Sequence, residues 1–183
     1  RGYVITLRED LRWEDGTAIT AADFVESAKR LLDPKAQNYR ADSFYSGSVV
    51  IYGAEKYLKQ TAPMAWDGNV GWFARGEYEL CFVLENPLSG FYLKYNLPTP
   101  LVHIPTYDAC AKVENSINTN SYGTSVDTTK SCGPYKLTAF QADKQYTLTR
   151  NEEYYDLGEN TYQTTAIVVD FVKEASTQLQ LFR

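Results

Sequence analysis

The spacing of apolar residues changes from two to between three and four within the first part of the chain. Residues 3–8 are mainly strand-forming side chains arranged with a period of two, which predicts a β-strand. After residue 20 the apolar positions recur at helical spacing and share one face, with charged residues off that face. This face consists of Phe24, Val25, Ala28, Leu31 and Leu32. The pattern predicts an amphipathic helix over 21–32.

The predicted helix carries signals at both ends. Thr20 is a favourable N-cap residue, and Asp23 three positions later forms a capping-box-like pair with it. Pro34 ends the helix, because proline pushes the residue before it, Asp33, out of the α region.

A turn separates the predicted strand from the predicted helix. Asp15 and Gly16 are a turn pair, since glycine adopts positive φ at no steric cost. Trp13 lies just before this turn. We expect Trp13 and Phe24 to be buried, tying the turn and the helix to one core.

Similar patterns continue along the rest of the chain. Short helices are predicted over 48–60, 89–95, 107–113 and 176–183. Two hairpins are predicted from strands over 70–74, 78–84, 136–140 and 146–151. The near-continuous apolar run 166–172 suits an interior strand covered on both faces, and the Asn/Ser/Thr-rich segment 115–130 suits a surface loop. The fold class predicted is α+β, dominated by antiparallel hairpins with short helices.

Composition excludes several classes of protein. The 183 residues are 44% hydrophobic and 22% charged, which is ordinary for a folded globular chain and argues against disorder. The net charge of −5 argues against nucleic-acid binding, which needs clustered Lys and Arg. No run of apolar residues is long enough for a membrane-spanning helix.

The cysteines allow two interpretations. Cys110 and Cys132 flank the Asn/Ser/Thr-rich segment and can pair in an oxidising compartment. Three free thiols are the other interpretation, with Cys81 as a small buried hydrophobe in a strand. The three cysteines are too scattered for a zinc site.

No constellation of catalytic or metal-ligating residues is recognisable. The nucleophile elbow, the phosphate-binding and dinucleotide-binding glycine loops and the zinc-protease motif are all missing from the sequence. His103 is the only histidine and stands between Val102 and Ile104, so it is interpreted as a packed or surface residue and not as a ligand. We therefore expect no enzyme, no cofactor and no metal site.

Two signatures, each made of two stretches of sequence, carry a resemblance to a known family. Residues 11–24 read L-R-W-E-D-G-T-A-I-T-A-A-D-F and residues 31–34 read L-L-D-P. Residues 132–135 read C-G-P-Y, and 150–154 read R-N-E-E-Y after a predicted hairpin. The first two stretches and the last two each resemble a signature of the extracytoplasmic solute-binding proteins of the peptide/nickel ABC-importer family, with Cys132 where the family has Asn. Taken alone, the first signature also fits a generic β-turn-α unit. The signature positions are Trp13, Asp15, Gly16, Asp23, Phe24, Pro34, Gly133 and Tyr135.

The resemblance implies a type II periplasmic-binding-protein-like fold of the three-domain, peptide-binding subtype. Residues 1–130 would match the inserted domain II, and 131–183 would match the return into the sheet of domain I. Domain III would be absent, so the chain is expected to be a fragment. Such proteins are exported, but no signal peptide or lipobox is present, which we also attribute to truncation.

The resemblance also implies a function. The full-length protein would capture oligopeptides outside the cytoplasm, as a periplasmic protein or cell-envelope lipoprotein, and deliver them as a monomer to ABC permease subunits. The alternative is an envelope domain that senses peptides or serves as a structural interaction module, with the same fold and no transport role. The missing domain III would distinguish these two functions.

Three residues are candidates for ligand contact by the same resemblance. Tyr39 follows the Asp33-Pro34 stop, where peptide binders of the family often place a tyrosine that touches ligand. Asn96 and Leu97, before Pro98, are the second candidate segment. For Tyr39 the alternative is a surface or interdomain role, since exposed aromatic residues usually pack locally. For Asn96 and Leu97 an ordinary structural role is the stronger alternative.

Overall fold

The computed structural model describes residues 2–115, 117–155 and 163–182, which fold as two compact units. Unit 1 comprises Arg1–Glu9 and Ile19–Ser121, and unit 2 comprises Asp10–Ala18 and Tyr122–Arg183. Both units mix short helices with small antiparallel sheets, so the chain has the predicted α+β class.

Unit 1 is built on a three-stranded antiparallel sheet in the order β1-β3-β2, covered by helix α1. Its strands are β1 (Gly2–Thr6), β2 (Trp72–Ala74), β3 (Glu79–Val83), β4 (Ala111–Glu114) and β5 (Ile117–Asn120). Its helices are α1 (Ala21–Leu31), a 3₁₀-helix (Tyr39–Phe44), α2 (Ala54–Leu58), α3 (Gly90–Asn96) and α4 (Ile104–Ala109). β4 and β5 form a separate hairpin.

The core of unit 1 is centred on the completely buried Trp72. Its ring centroid lies 5.2 Å from that of Phe44 and 5.8 Å from that of Phe82. Its indole Nε1 donates to the carbonyl oxygen of Phe24 at 3.2 Å, which attaches α1 to β2. Burial of such large aromatic side chains is a major favourable contribution to folding.

Helix α1 begins and ends where its sequence signals predict. The backbone N–H of Thr20 donates to the Asp23 carboxylate at 2.7 Å, which is one half of a capping box. The helix ends at Leu31, shortly before Pro34. Its innermost positions are Ala21, Val25, Ser27 and Ala28. Phe24 is only half-buried and packs at the margin of the core, so the prediction that it is buried is wrong in degree.

Trp13 is buried as predicted, but it belongs to unit 2 and lies outside the core cluster that contains α1. The turn beside it forms as expected. Gly16 has φ +84° and donates its N–H to the Trp13 carbonyl at 2.9 Å, while the Asp15 carboxylate accepts from the Thr17 N–H at 3.0 Å. The expectation that Trp13 ties the turn to the helix core is therefore wrong.

Unit 2 is built on a second antiparallel sheet in the order β6-β7-β8. Its elements are β6 (Tyr135–Gln141), β7 (Gln145–Arg150), β8 (Ala166–Asp170) and helix α5 (Ala175–Phe182). The hairpin β6–β7 confirms the predicted one. Among the described residues β8 pairs only with β7, and its burial alternates, so the predicted interior strand over 166–172 is wrong.

The signature residues of unit 2 form one hydrogen-bonded turn. Asn151 is only 2% exposed. Its side-chain Nδ2 donates to the Gly133 carbonyl at 3.1 Å and its backbone N–H donates to the Pro134 carbonyl at 2.8 Å. Tyr135, the first residue of β6, donates its hydroxyl to the Thr164 carbonyl at 3.0 Å. The two Asn151 bonds connect the chain entering β6 with the chain leaving β7, and the Tyr135 bond connects β6 with the segment before β8.

Several boundary predictions fail. Only 54–58 of the predicted helix 48–60 is helical, because Ile51 instead bridges to Leu84 of the sheet region. The predicted helix 107–113 lies at 104–109, because its C-terminal part forms β4. The predicted loop 115–130 contains β5. Helix 89–95 is confirmed as α3, and helix 176–183 as α5, although Arg183 lies outside the described residues.

All three cysteines are free thiols, so the Cys110–Cys132 disulfide is wrong and the free-thiol interpretation is confirmed. Cys110 ends α4, where its carbonyl accepts from the Ser121 N–H at 3.3 Å after the β4–β5 hairpin. Cys132 belongs to unit 2, and burial raises the pKa of its thiol. Cys81 is buried in β3, as predicted.

Candidate functional site

The candidate site is a cleft of about 430 Å³ in unit 1, which we call the Tyr39 cleft. One wall is the 3₁₀-helix that begins at Tyr39, and the other is the proline-containing segment 98–100 after α3. Leu31, at the end of α1, completes the lining. The remaining lining residues are Arg40, Asp42 and Ser43.

Tyr39 presents its ring to solvent, with 81% of the residue exposed. The 3₁₀-helix is capped by Asn38, whose side-chain oxygen accepts from the Arg40 N–H at 3.0 Å. The Ser43 hydroxyl donates to the Arg40 carbonyl at 2.7 Å. These local bonds fix the backbone beneath an exposed aromatic ring, as capping bonds do at helix ends.

Arg40 is coupled to the tyrosine beside it. Its Nε donates to the Tyr39 hydroxyl oxygen at 3.0 Å, and its guanidinium carbon lies 5.6 Å from the ring centroid. This distance is within the range of a cation–π contact. The cleft also has a carboxylate, Asp42, in its lining. It therefore offers an aromatic surface, a cation and an anion beside apolar proline and leucine side chains.

Asn96 and Leu97 lie next to the cleft along the chain but are not among its lining residues. Asn96 is the last residue of α3, and its side-chain Nδ2 donates to the Tyr92 carbonyl at 2.8 Å. Leu97 follows the helix and packs against the core. The structure thus brings Tyr39 together with the segment that Asn96 and Leu97 lead into.

Sequence reasoning missed the polar lining of the cleft. Arg40, Asp42 and Ser43 gave no signal, because a single 3₁₀ turn has no periodicity to detect. The exposed aromatic residues of α3 were also not singled out as a surface. Phe91 contacts Tyr92 and Tyr95, with ring centroids 5.8 and 4.9 Å apart. Clustering of aromatic residues in a short segment, visible at 91–95, is the signal available for that surface.

His103 is a packed residue, as predicted. It is 5% exposed and precedes α4, and its Nδ1 lies 2.7 Å from the Thr106 hydroxyl oxygen. In the described ranges, no three His, Cys, Asp or Glu side chains are grouped in a way that would hold a metal ion. None of the helices described above is long and apolar enough to cross a bilayer.

Comparison with known proteins identifies relatives over the whole chain. A 29% identical relative is the dipeptide-binding protein of Lactococcus lactis subsp. cremoris, with 99% of this chain aligned to 31% of that protein. The oligopeptide-binding protein OppA of Bacillus subtilis is 28% identical, with 99% of this chain aligned to 30% of that protein. The chain therefore spans about a third of the length of these relatives.

A solved structure has the same fold. The substrate-binding domain of an oligopeptide ABC transporter from Bacillus anthracis superposes with a TM-score of 0.80 at 28% identity, covering 100% of this chain and 32% of that one. The model of the family described as bacterial extracellular solute-binding proteins, family 5, middle part, matches residues 1–183. The chain belongs to family 5 of the bacterial extracellular solute-binding proteins.

Proposed function

We propose that the protein containing this chain is the substrate-binding component of an ABC importer. It captures oligopeptides outside the cytoplasm and delivers them to the permease subunits in the membrane. The observation that carries this proposal is the family match over residues 1–183. The relatives named as dipeptide- and oligopeptide-binding proteins support the substrate class.

The proposal assigns the chain to part of a three-domain protein. Residues 1–130 correspond to the inserted domain II, 131–183 correspond to the return into domain I, and domain III lies elsewhere in the full-length chain. The change from unit 1 to unit 2 after Ser121 supports a boundary in this part of the chain, although Asp10–Ala18 group with unit 2 and not with the rest of residues 1–130. The coverage of about a third of each relative supports a missing remainder. The full-length protein acts as an extracytoplasmic monomer, anchored as a lipoprotein or free in the periplasm, and has no enzymatic activity.

Peptide binding by the full-length protein tests this proposal. Calorimetry with a mixed pool of di- to hexapeptides is carried out on the full-length protein and on the 183-residue chain. We expect binding by the former and weak or no binding by the latter, because a cleft ligand needs enclosure from both sides to offset the entropy lost on association. No peptide binding by the full-length protein, with binding of a sugar or a metal chelate instead, would overturn the substrate class.

Within this proposal, Tyr39, Asn96 and Leu97 contact or adjoin the ligand. Tyr39 is the strongest of the three, because its ring is 81% exposed above a hydrogen-bonded turn. In the full-length protein, Tyr39→Ala should weaken peptide binding by about 1–2 kcal/mol, as expected for loss of an aromatic contact. Tyr39→Phe keeps the ring and removes the bond from Arg40, so it separates the two contributions.

An exposed tyrosine outside the cleft is the matched control. Tyr95 is 77% exposed on α3 and does not line the Tyr39 cleft. Tyr95→Ala should leave peptide affinity unchanged. Equal losses from Tyr39→Ala and Tyr95→Ala would contradict the assignment of Tyr39 while leaving the substrate class intact.

A further inference from the structure

A second cavity in unit 1, of about 740 Å³, shares no lining residue with the Tyr39 cleft. It lies beside α1, edge strand β2 and the loop that precedes β2, and we call it the β2 groove. Its walls are mainly apolar and include Val25, Tyr52, Val70, Phe73 and Val83. Its volume lies within the range of about 300–1,000 Å³ typical of small-molecule sites.

Backbone hydrogen bonds hold the walls of the β2 groove in place. The Tyr52 N–H donates to the Val83 carbonyl at 2.9 Å, and the Tyr52 carbonyl accepts from the Gly71 N–H at 2.8 Å. A Cβ on Gly71 would lie 2.8 Å from the Val83 carbonyl oxygen and 3.0 Å from Tyr52 Cβ, so these segments approach as closely as a glycine allows. A preformed site loses less entropy when it binds a ligand.

The aromatic walls remain accessible. Tyr52 is 50% exposed and Phe73 is 40% exposed, so both rings are available to a ligand that enters the groove. Aromatic rings contribute apolar contact area, and their faces attract cations.

The charged lining of the groove is acidic. Glu26 is neutralised locally by Lys29 and Arg30, with N–O distances of 2.8 and 2.9 Å. Partial burial favours a higher pKa for Glu26, but the hydrogen bonds from these two cations outweigh it and the net direction is downward. Asp67 lines the same groove, and no cation among the described residues forms an ion pair with it. Its carboxylate is the uncompensated charge of the groove.

We propose that the β2 groove binds a small organic cation in which an ammonium is attached to an aromatic or branched aliphatic group. The apolar group occupies the space between Tyr52, Phe73 and Val25, and the ammonium faces the Asp67 carboxylate. Charge complementarity favours this occupant, because the exposed Asp67 carboxylate attracts an ammonium and repels an anion, whereas a neutral ligand gains no electrostatic contact there. This proposal does not rest on the proposed function in peptide capture.

An NMR titration of the full-length protein tests the proposal with matched probes. Phenethylammonium, phenethyl alcohol and 3-phenylpropionate share a phenyl group and differ in charge. We expect saturable shift changes at the amides of residues 67–74 with the ammonium, and affinity weaker by about fivefold for the alcohol and more for the anion. Equal affinity for all three probes, shifts centred on the Tyr39 cleft, or no saturation up to about 10 mM ammonium would each overturn it.

Two variants locate the bound cation. Asp67 is exposed, so Asp67→Asn should fold normally and weaken ammonium binding by about fivefold without changing alcohol binding. Phe73→Ala should weaken the ammonium and the alcohol alike. Tyr39→Ala is the control and should change neither affinity. If Phe73→Ala does not fold, the Asp67→Asn result decides alone, and unchanged ammonium affinity in that variant would overturn the proposal.

Discussion

Phe24 and Leu32 lie on the same helical stripe in sequence but differ in burial. Leu32 is fully buried, whereas Phe24 is half-buried at the margin of the core. We predict that Leu32→Ala lowers the free energy of unfolding by about 3–4 kcal/mol and Phe24→Ala by only about 2 kcal/mol, because the cost depends on the volume left empty inside the core. Urea unfolding measures both losses, provided that the dependence of the free energy of unfolding on urea concentration is unchanged in the variants. A larger loss for Phe24→Ala than for Leu32→Ala would contradict the assigned helix face.

Asn151 is a buried polar residue with a defined role. Its side-chain Nδ2 donates to the Gly133 carbonyl oxygen at 3.1 Å, and its Oδ1 accepts from the Glu153 N–H at 3.3 Å. Asn151→Ala should cost about 1–3 kcal/mol, because the partly buried Gly133 carbonyl loses the donor that a buried side chain supplies. Asn69→Ala is the control, since Asn69 also donates to a backbone carbonyl, at 3.1 Å, but is exposed.

The two asparagine variants are compared by denaturant unfolding. The control should lose little stability, because water replaces a lost bond at an exposed position. Similar losses for the two variants would show that the turn at Gly133 does not depend on the buried side chain.

Helices α1 and α4 are joined by one bidentate ion pair. Arg30 on α1 donates from Nε and Nη2 to the two Asp108 carboxylate oxygens at 2.8 and 2.7 Å, and it also bonds Glu26 within α1. The Arg30 hydrogen bonds hold the pKa of Asp108 below its usual range. Two planar groups paired in this way fix the orientation of α4 on α1.

This pair predicts an acid-dependent loss of stability. A carboxyl whose folded-state pKa is depressed stabilises the fold at pH above its unfolded pKa, near 4, and that contribution is lost as pH falls through the lower folded pKa. Asp108→Asn should therefore lower the melting temperature at neutral pH and reduce its fall on acidification below about pH 4. The effect should be small, since Asp108 is about half exposed. An unchanged slope of melting temperature against pH in the variant would contradict the role assigned to this pair.

The elements predicted correctly from the sequence are those whose start, apolar face and end are all marked by nearby residues. α1 has a cap, a helical apolar face and a proline stop, and each signal agrees with the others. The predicted helix 48–60 failed because its first residues have a long-range partner. Ile51 bridges to Leu84, and Gly53 then takes φ +72°, which interrupts a helix before α2 begins. No local pattern reports such a bridge.

The candidate site shows the same limit. Tyr39 was identified by family resemblance, whereas its partners in the cleft come from a single 3₁₀ turn and from residues 98–100, about sixty positions away in sequence. Contact between segments so far apart depends on tertiary packing, which periodicity does not encode. The pairing of β8 with β7 alone among the described residues was missed for a related reason, since an apolar run does not specify how many neighbours a strand has.

The two compact units differ in how many of their residues are buried. Among the described residues, Trp13 and Asn151 are the buried residues of unit 2, and all the others lie in unit 1. Each unit has a central strand with a neighbour on both sides, β3 in unit 1 and β7 in unit 2. β3 has three buried residues, whereas β7 has none among its six. β3 and β7 therefore have the same number of neighbouring strands but differ in burial, so comparing them isolates the effect of the core.

We predict that amide hydrogens of β3 exchange more slowly than those of β7. Both strands are hydrogen-bonded on two sides, so a difference must come from the apolar contacts broken on opening. Exchange in β3 should be at least about tenfold slower, which corresponds to about 1.4 kcal/mol more in opening free energy. Hydrogen-exchange mass spectrometry on peptides covering 79–83 and 145–150 measures this. Equal protection of the two strands would mean that both units open in one cooperative step, so that the large core of unit 1 stabilises the second sheet as well.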